Sequence, residues 1–108
     1  MDEARMARTE SAFREVNEAI AKAAARYDAD ETDFVCECAD AECAHRVTAD
    51  LDDYEEVRGE ATHFLLAPGH GNGHVERLVE RTKEFDIVDK FAPAAADVAR
   101  ALNPRRPD

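Results

Sequence analysis

No apolar run in the 108 residues approaches the roughly 20 needed to span a bilayer, and the N-terminus, MDEARMARTE, is charged throughout. These absences predict a soluble, cytoplasmic protein with no transmembrane helix and no secretory signal. The middle of the chain is poor in positive charge. Residues 28 to 60 hold thirteen acids and only Arg46 and Arg58, so the whole net charge of −11 arises there, the flanking segments being balanced. Such a field repels phosphate backbones, which excludes direct nucleic-acid binding as the first expectation and favours a cationic partner over it. Lysine, asparagine and isoleucine are scarce beside alanine, arginine, aspartate and valine, as in proteins of GC-rich bacterial genomes. No internal repeat is present. The glycine-rich stretch Gly69–His74 lacks the lysine and the serine or threonine of a phosphate-binding loop, and a strand rather than a helix is expected after it.

Cysteine is also sparse, but its placement is the strongest signal in the chain. Cys36, Cys38 and Cys43 fall within eight positions, in FVCECADAECAH. A disulfide between neighbours one residue apart is strained and leaves a thiol over, and a reducing cytoplasm disfavours it further. Three thiolates and one imidazole instead fill the tetrahedral shell of a structural zinc ion. The fourth donor has several candidates. His45 would close C-x-C-x4-C-x-H within ten residues, whereas His70 follows a core strand in a glycine-flanked loop whose freedom lets it reach in from elsewhere. A distant ligand ties more of the chain to the metal, so His70 is preferred, with His45 the alternative; His74 ranks third, and His63 reads as packed or at the surface. Three thiolates match no iron–sulfur spacing, and four protein ligands leave no position for a catalytic water.

The expected fold is α+β: a long N-terminal helix on a small antiparallel sheet, a zinc-bearing hairpin and a short C-terminal helix. Over 5–27, Phe13, Val16, Ile20, Ala23 and Tyr27 form a stripe expected to be buried, with Glu10–Arg14 and Glu18–Lys22 outside it. Such a helix can pack on its own sheet or pair with its twin, giving a monomer or a homodimer. Residues 32–91 form the zinc-bearing core, in which 32–37 is a strand placing Cys36 and Cys38 on one side. A brief return strand covers 46–48. Thr48 or Asp50 caps a helix over 51–59 that presents Leu51, Tyr54 and Val57 or Arg58. His63–Ala67 is an apolar strand, and 75–81 with 85–90 read as a hairpin carrying Val75, Leu78, Val79, Phe85, Ile87 and Val88. Pro93 opens the last helix, and 103–108 is a loose tail of one single domain, 1–108.

The motifs F-x-C-E-C with a third cysteine, D-Y-E-x-V-R, F-x-x-x-P-G-H, V-E-R-x-V-E and V-x-K resemble those of a group of small bacterial proteins without an established activity. They rest here on Phe34, Cys36, Glu37, Cys38 and Cys43; Tyr54, Glu55, Val57 and Arg58; Phe64, Pro68, Gly69 and His70; and Val75–Glu80, Val88 and Lys90. Asp53 stands where the group has a glutamate before the tyrosine, and Gly71 where it has an acidic residue after the histidine. The resemblance implies that Cys36, Cys38, Cys43 and His70 belong together, and it weakens the claim of His45. The functional expectation is a structural zinc centre with a regulatory or adaptor role toward a basic protein surface. The alternatives are a thiol/zinc redox sensor or, further off, a zinc-dependent hydrolase with an open metal position.

Overall fold

Asp2 opens the first helix, its carboxylate accepting the Arg5 backbone N–H at 2.7 Å. In the computed structural model, which describes residues 2–105, this helix, α1, runs over Glu3–Arg26 and carries Glu3 in its first turn and Arg26 in its last, each favourable to the helix dipole. Its buried face differs from the apolar stripe. Val16 and Tyr27 are 46% and 78% exposed, Ala23 is exposed and Phe13 and Ile20 are half-buried. Facing inward instead are Glu10, Arg14, Asn17 and Glu18, among small residues such as Ala7, Ala21 and Ala24. Hydrophobic periodicity is blind to this face, because polar side chains are tolerated inside once each finds a partner.

The expected hairpin and small antiparallel sheet are two separate sheets. β1 (Glu31–Val35) and β2 (Arg46–Asp50) form a hairpin with Phe34 opposite Val47. β3 (His63–Leu66), β4 (Glu76–Arg81) and β5 (Asp86–Lys90) form a second sheet in the order β3-β5-β4. The strand expected over 32–37 ends at Val35, and Cys36 and Glu37 cross from one sheet to the other. The Cys36 N–H donates to the His45 carbonyl at 3.2 Å, and the Glu37 N–H donates to the Leu65 carbonyl at 2.8 Å. Leu78 and Val79 are half-exposed rather than packed. A bulge between Leu78 and Glu80 takes Val79 out of register on a strand at the sheet's edge.

α2 (Leu51–Arg58) starts directly after β2, with Asp50 as N-cap, Asp52 and Asp53 in its first turn and Gly59 as its end. It buries Tyr54, Val57 and Arg58, and Tyr54 stacks on Phe34 with ring centroids 4.5 Å apart. α3 (Pro93–Ala101) begins with proline and lays Ala95, Ala96 and Ala99 inward, where small side chains let it approach α1 closely. The expected loose tail is held at Arg105, whose guanidinium binds Glu18 at 2.6 and 2.9 Å and Glu55 at 2.9 and 2.7 Å. Residues 106–108 lie outside the described residues. Among those described, no helix is long and apolar enough to cross a membrane.

Phe64, fully buried, organises the polar part of the interior. Arg14, Lys90 and Arg58 lie 4.6, 5.3 and 5.8 Å from its ring centroid. Desolvated contacts of this kind contribute up to about 2 kcal/mol each. Arg14 also donates to the carbonyls of Ala61 and Ala99 at 2.7 and 2.8 Å. Burial, reinforced by the nearby Arg58, lowers its pKa to about 10. Lys90 donates to both Glu10 and Glu76 in a fully buried triad. Burial still outweighs the pull of Lys90 and drives the Glu10 carboxyl up to about 7.

Asn17 and Val16 separate the two descriptions of α1. Asn17→Leu leaves the Val35 N–H and carbonyl and one Glu37 oxygen without their partner and is expected to cost about 3 kcal/mol or more. Val16→Ser is expected to change stability by less than about 0.5 kcal/mol. Urea unfolding of the two variants measures both, and the reverse ranking would restore the apolar stripe as the buried face.

Candidate metal centre

The C-E-C segment alternates its side chains, and Glu37 is what fixes the alternation. Its carboxylate is fully buried and accepts from the Leu65 backbone N–H at 2.9 Å, Arg58 Nη2 at 2.9 Å and Asn17 Nδ2 at 2.7 Å. Asn17 pairs in turn with Val35, donating to its carbonyl at 2.9 Å and accepting its N–H at 2.8 Å. With Glu37 held between α1, α2 and β3, the flanking Cys36 and Cys38 meet the other candidate ligands. The Ala67 N–H donates to Cys36 Sγ at 3.1 Å, which orients the sulfur and favours its thiolate form.

Cys43 and His70 arrive on two turns. In the first, the Asp40 side chain accepts the Glu42 N–H at 2.9 Å and its carbonyl accepts the Cys43 N–H at 3.0 Å, so the chain doubles back. In the second, the His70 N–H donates to the Ala67 carbonyl at 3.1 Å across Pro68 and Gly69, and Gly69 has a φ of +82°. Proline followed by a left-handed glycine suits a type II turn. Asp86 secures that turn, accepting the Gly69 N–H at 2.9 Å and a two-pronged contact from Arg81 at 2.9 and 3.0 Å. The Arg81 hydrogen bond, working against burial, holds the Asp86 pKa below its ordinary value.

The ligand atoms of Cys36, Cys38, Cys43 and His70 all lie within 4.8 Å of one another. His70 Nδ1 is 3.6 Å from Cys36 Sγ and 3.7 Å from Cys43 Sγ. Tetrahedral zinc with its usual bond lengths requires an S···N edge of roughly 3.5 Å. Cys36 and Cys38 are buried; Cys43 and His70 are half-buried. Burial, then repulsion among the thiolates, pushes the Cys36 pKa well above the usual thiol range, although the Ala67 N–H pulls it down; burial raises Cys38 as well. A cation between the sulfurs offsets both effects, so this group can hold a metal ion.

The other histidines are placed differently. His45 is exposed, with Nδ1 3.6 Å from Cys43 Sγ and its ring edge-on to His70 at 4.5 Å between centroids, beside the four-atom group. His63 lies in β3 with Nε2 3.5 Å from Asp89 Oδ1, and His74 is exposed. Sequence reasoning missed Asn17 and Asp86 as supports of the site, and Arg58, which it places at the surface beside the site, is instead buried against Glu37. Glu37 stood in a quoted motif, and the only local cue to its role was a charge between two ligands on a strand with Phe34 beside it.

The chain matches no family model, no curated protein and no solved structure. The fold and the donor cluster therefore define it as a small α+β protein with a candidate Cys3His metal centre.

Removal of the supporting charge tests how the site is built. Glu37→Gln is expected to weaken metal binding about 10- to 100-fold, as the loss of an outer-shell partner does. His45→Ala is expected to change it less than about twofold, because that imidazole lies outside the four-atom group. Competition of the cobalt-loaded protein with a chromophoric chelator reads both constants, and the thiolate charge-transfer bands report whether three sulfurs still bind.

Proposed function

We propose that the four donors hold one Zn²⁺ as a closed structural centre, and that the protein is a small regulatory or adaptor module acting on a cationic partner in the cytoplasm. The observation that carries the first half is the convergence of three sulfurs and one imidazole nitrogen within 4.8 Å. Thiolate and imidazole favour zinc over the hard cations, and three thiolates with one imidazole suit its tetrahedral preference. Four protein donors complete that shell. Water activation would need an open position, which a shell of four protein donors does not leave.

Support for the second half is electrostatic. Glu37 and Arg58 neutralise each other inside, so the surface of residues 28–60 remains as acidic as the sequence suggested. At the end of α1 and the start of α2, Asp28, Asp30, Asp50 and Asp52 line one cleft of about 620 Å³. Zinc with three thiolates contributes one more negative charge. A basic protein surface fits this potential, and nucleic acid does not. One observation favours the redox-sensor alternative: Cys43 is half-buried, so an oxidant has access to one sulfur of the cluster.

Zinc analysis of protein purified without chelator is expected to find one equivalent, lost in Cys38→Ser together with cooperative thermal unfolding. Capture of basic proteins is expected to fall steeply as salt rises, and salt-independent capture would remove the adaptor reading. Release of the zinc by mild peroxide, with a disulfide formed, would favour the sensor instead.

A further inference from the structure

Between the metal loop, the Gly69–Gly73 loop and the first turns of α1 lies a second cleft of about 490 Å³. Cys38 and His70 line it from the two loops, and Met6, Glu10 and Glu76 complete it. A metal ion joining Cys38 to His70 therefore ties its two loop walls together.

Glu10 is 1% exposed, and its Oε1 has no hydrogen-bond partner. Ser11 Oγ and Arg14 Nε, also on α1, are likewise buried without partners. Glu10 Oε2 is taken by Lys90, whose ammonium also binds Glu76 Oε1, and Glu76 Oε2 accepts the Asn72 N–H at 3.0 Å. Arg14, the other buried cation of α1, turns to the Ala61 and Ala99 carbonyls. A carboxylate oxygen kept from water without a donor is costly, so Glu10 Oε1 calls for one.

The charge of the surroundings selects the donor. Glu10, Glu76 and Lys90 together carry one negative charge. Asp40 lines the cleft as well. Anions are therefore repelled. Met6 and Ala39 add apolar surface suited to a short methylene chain. We propose that this cleft is a receptor for an alkylammonium group, which donates to Glu10 Oε1 and lays its alkyl stem against Met6. The group is either a free amine or the lysine side chain of a partner. This deepens the adaptor reading, and its dependence on that reading is limited to the metal that joins the two loops.

The test uses the zinc-loaded full chain, labelled with ¹⁵N, at about pH 8, above the raised pKa of Glu10. Titration with n-butylammonium is expected to shift the amides of Gly69, Gly71, Asn72 and Gly73 to saturation. Glu10→Gln, which puts an amide where an acceptor is required, is expected to weaken the interaction roughly tenfold or more. Glu56→Gln, an equal loss of charge on the exposed side of α2, is expected to leave it unchanged. Tetramethylammonium, a cation without N–H donors, is expected to bind at least as weakly as the Glu10→Gln pair. Tighter binding of an acetylated lysine peptide than of butylammonium assigns the group to a protein partner; the reverse assigns it to a free amine. Equal binding by tetramethylammonium, or by Glu10→Gln, overturns the proposal, as does the absence of saturable shifts in a sample holding one equivalent of zinc. Absence of zinc in that sample counts against the metal centre alone, and the titration is read regardless.

Discussion

A carboxylate placed between two cysteines, facing away from them, is the constraint on which this structure depends. Glu37 is fully buried, and its two oxygens collect one donor each from α1 and α2 and a third from β3. An ionised carboxylate in such a place costs several kcal/mol unless it is paired and hydrogen-bonded, and here it is both. The contacts fix where the chain must cross between the sheets. Because neighbouring side chains on extended backbone point to opposite faces, holding Glu37 on one face commits Cys36 and Cys38 to the other. The site and the core are thus two sides of three residues.

The same economy runs through the rest of the interior. The chain buries Arg14, Arg58 and Lys90 around Phe64 and answers them with Glu37, Glu10 and Glu76. Hydrophobic residues of equal volume are often as stabilising as buried ion pairs, so stability alone does not account for them. Their geometry is directional, however. Leucine in place of Arg14 would pack in several rotamers, while a guanidinium bonded to the Ala61 and Ala99 carbonyls sets the angle between α1, the start of β3 and α3. Two small sheets and short helices offer little apolar area to define a unique arrangement, and directed polar contacts supply the definition.

This division explains what the sequence disclosed. The strand at His63, the hairpin after Val75, the short helix from Leu51 and the opening by Pro93 rest on local rules, namely alternation, capping and turn chemistry, and the residues obey them. Three clustered cysteines with a histidine after Pro-Gly expressed metal-ligand chemistry in residue types alone. What stayed hidden depends on partners distant in sequence. Asn17 meets Val35 and Glu37, Arg14 meets Ala99, and Lys90 meets Glu10, eighty positions away. Before those partners are known, a charged face on α1 looks like a solvated one, and Val16 looks like core. The early end of the first strand was hidden for the same reason, since Glu37 leaves it to pair with Leu65.

A metal ion held by the four donors would join two segments that the core already supports. The donors sit on two segments whose backbones are secured independently, one through Glu37 and the other through Asp86 and Gly69. Cys36 and His70 are 34 positions apart, and closing a loop of that length has an entropic cost that grows only slowly with length. A metal ion held there would offset the burial and mutual repulsion that raise the Cys36 and Cys38 thiols. A centre assembled in this way holds the two loops in one register because the core beneath them has already chosen it. That is why the supporting residues, rather than the ligands alone, set the geometry.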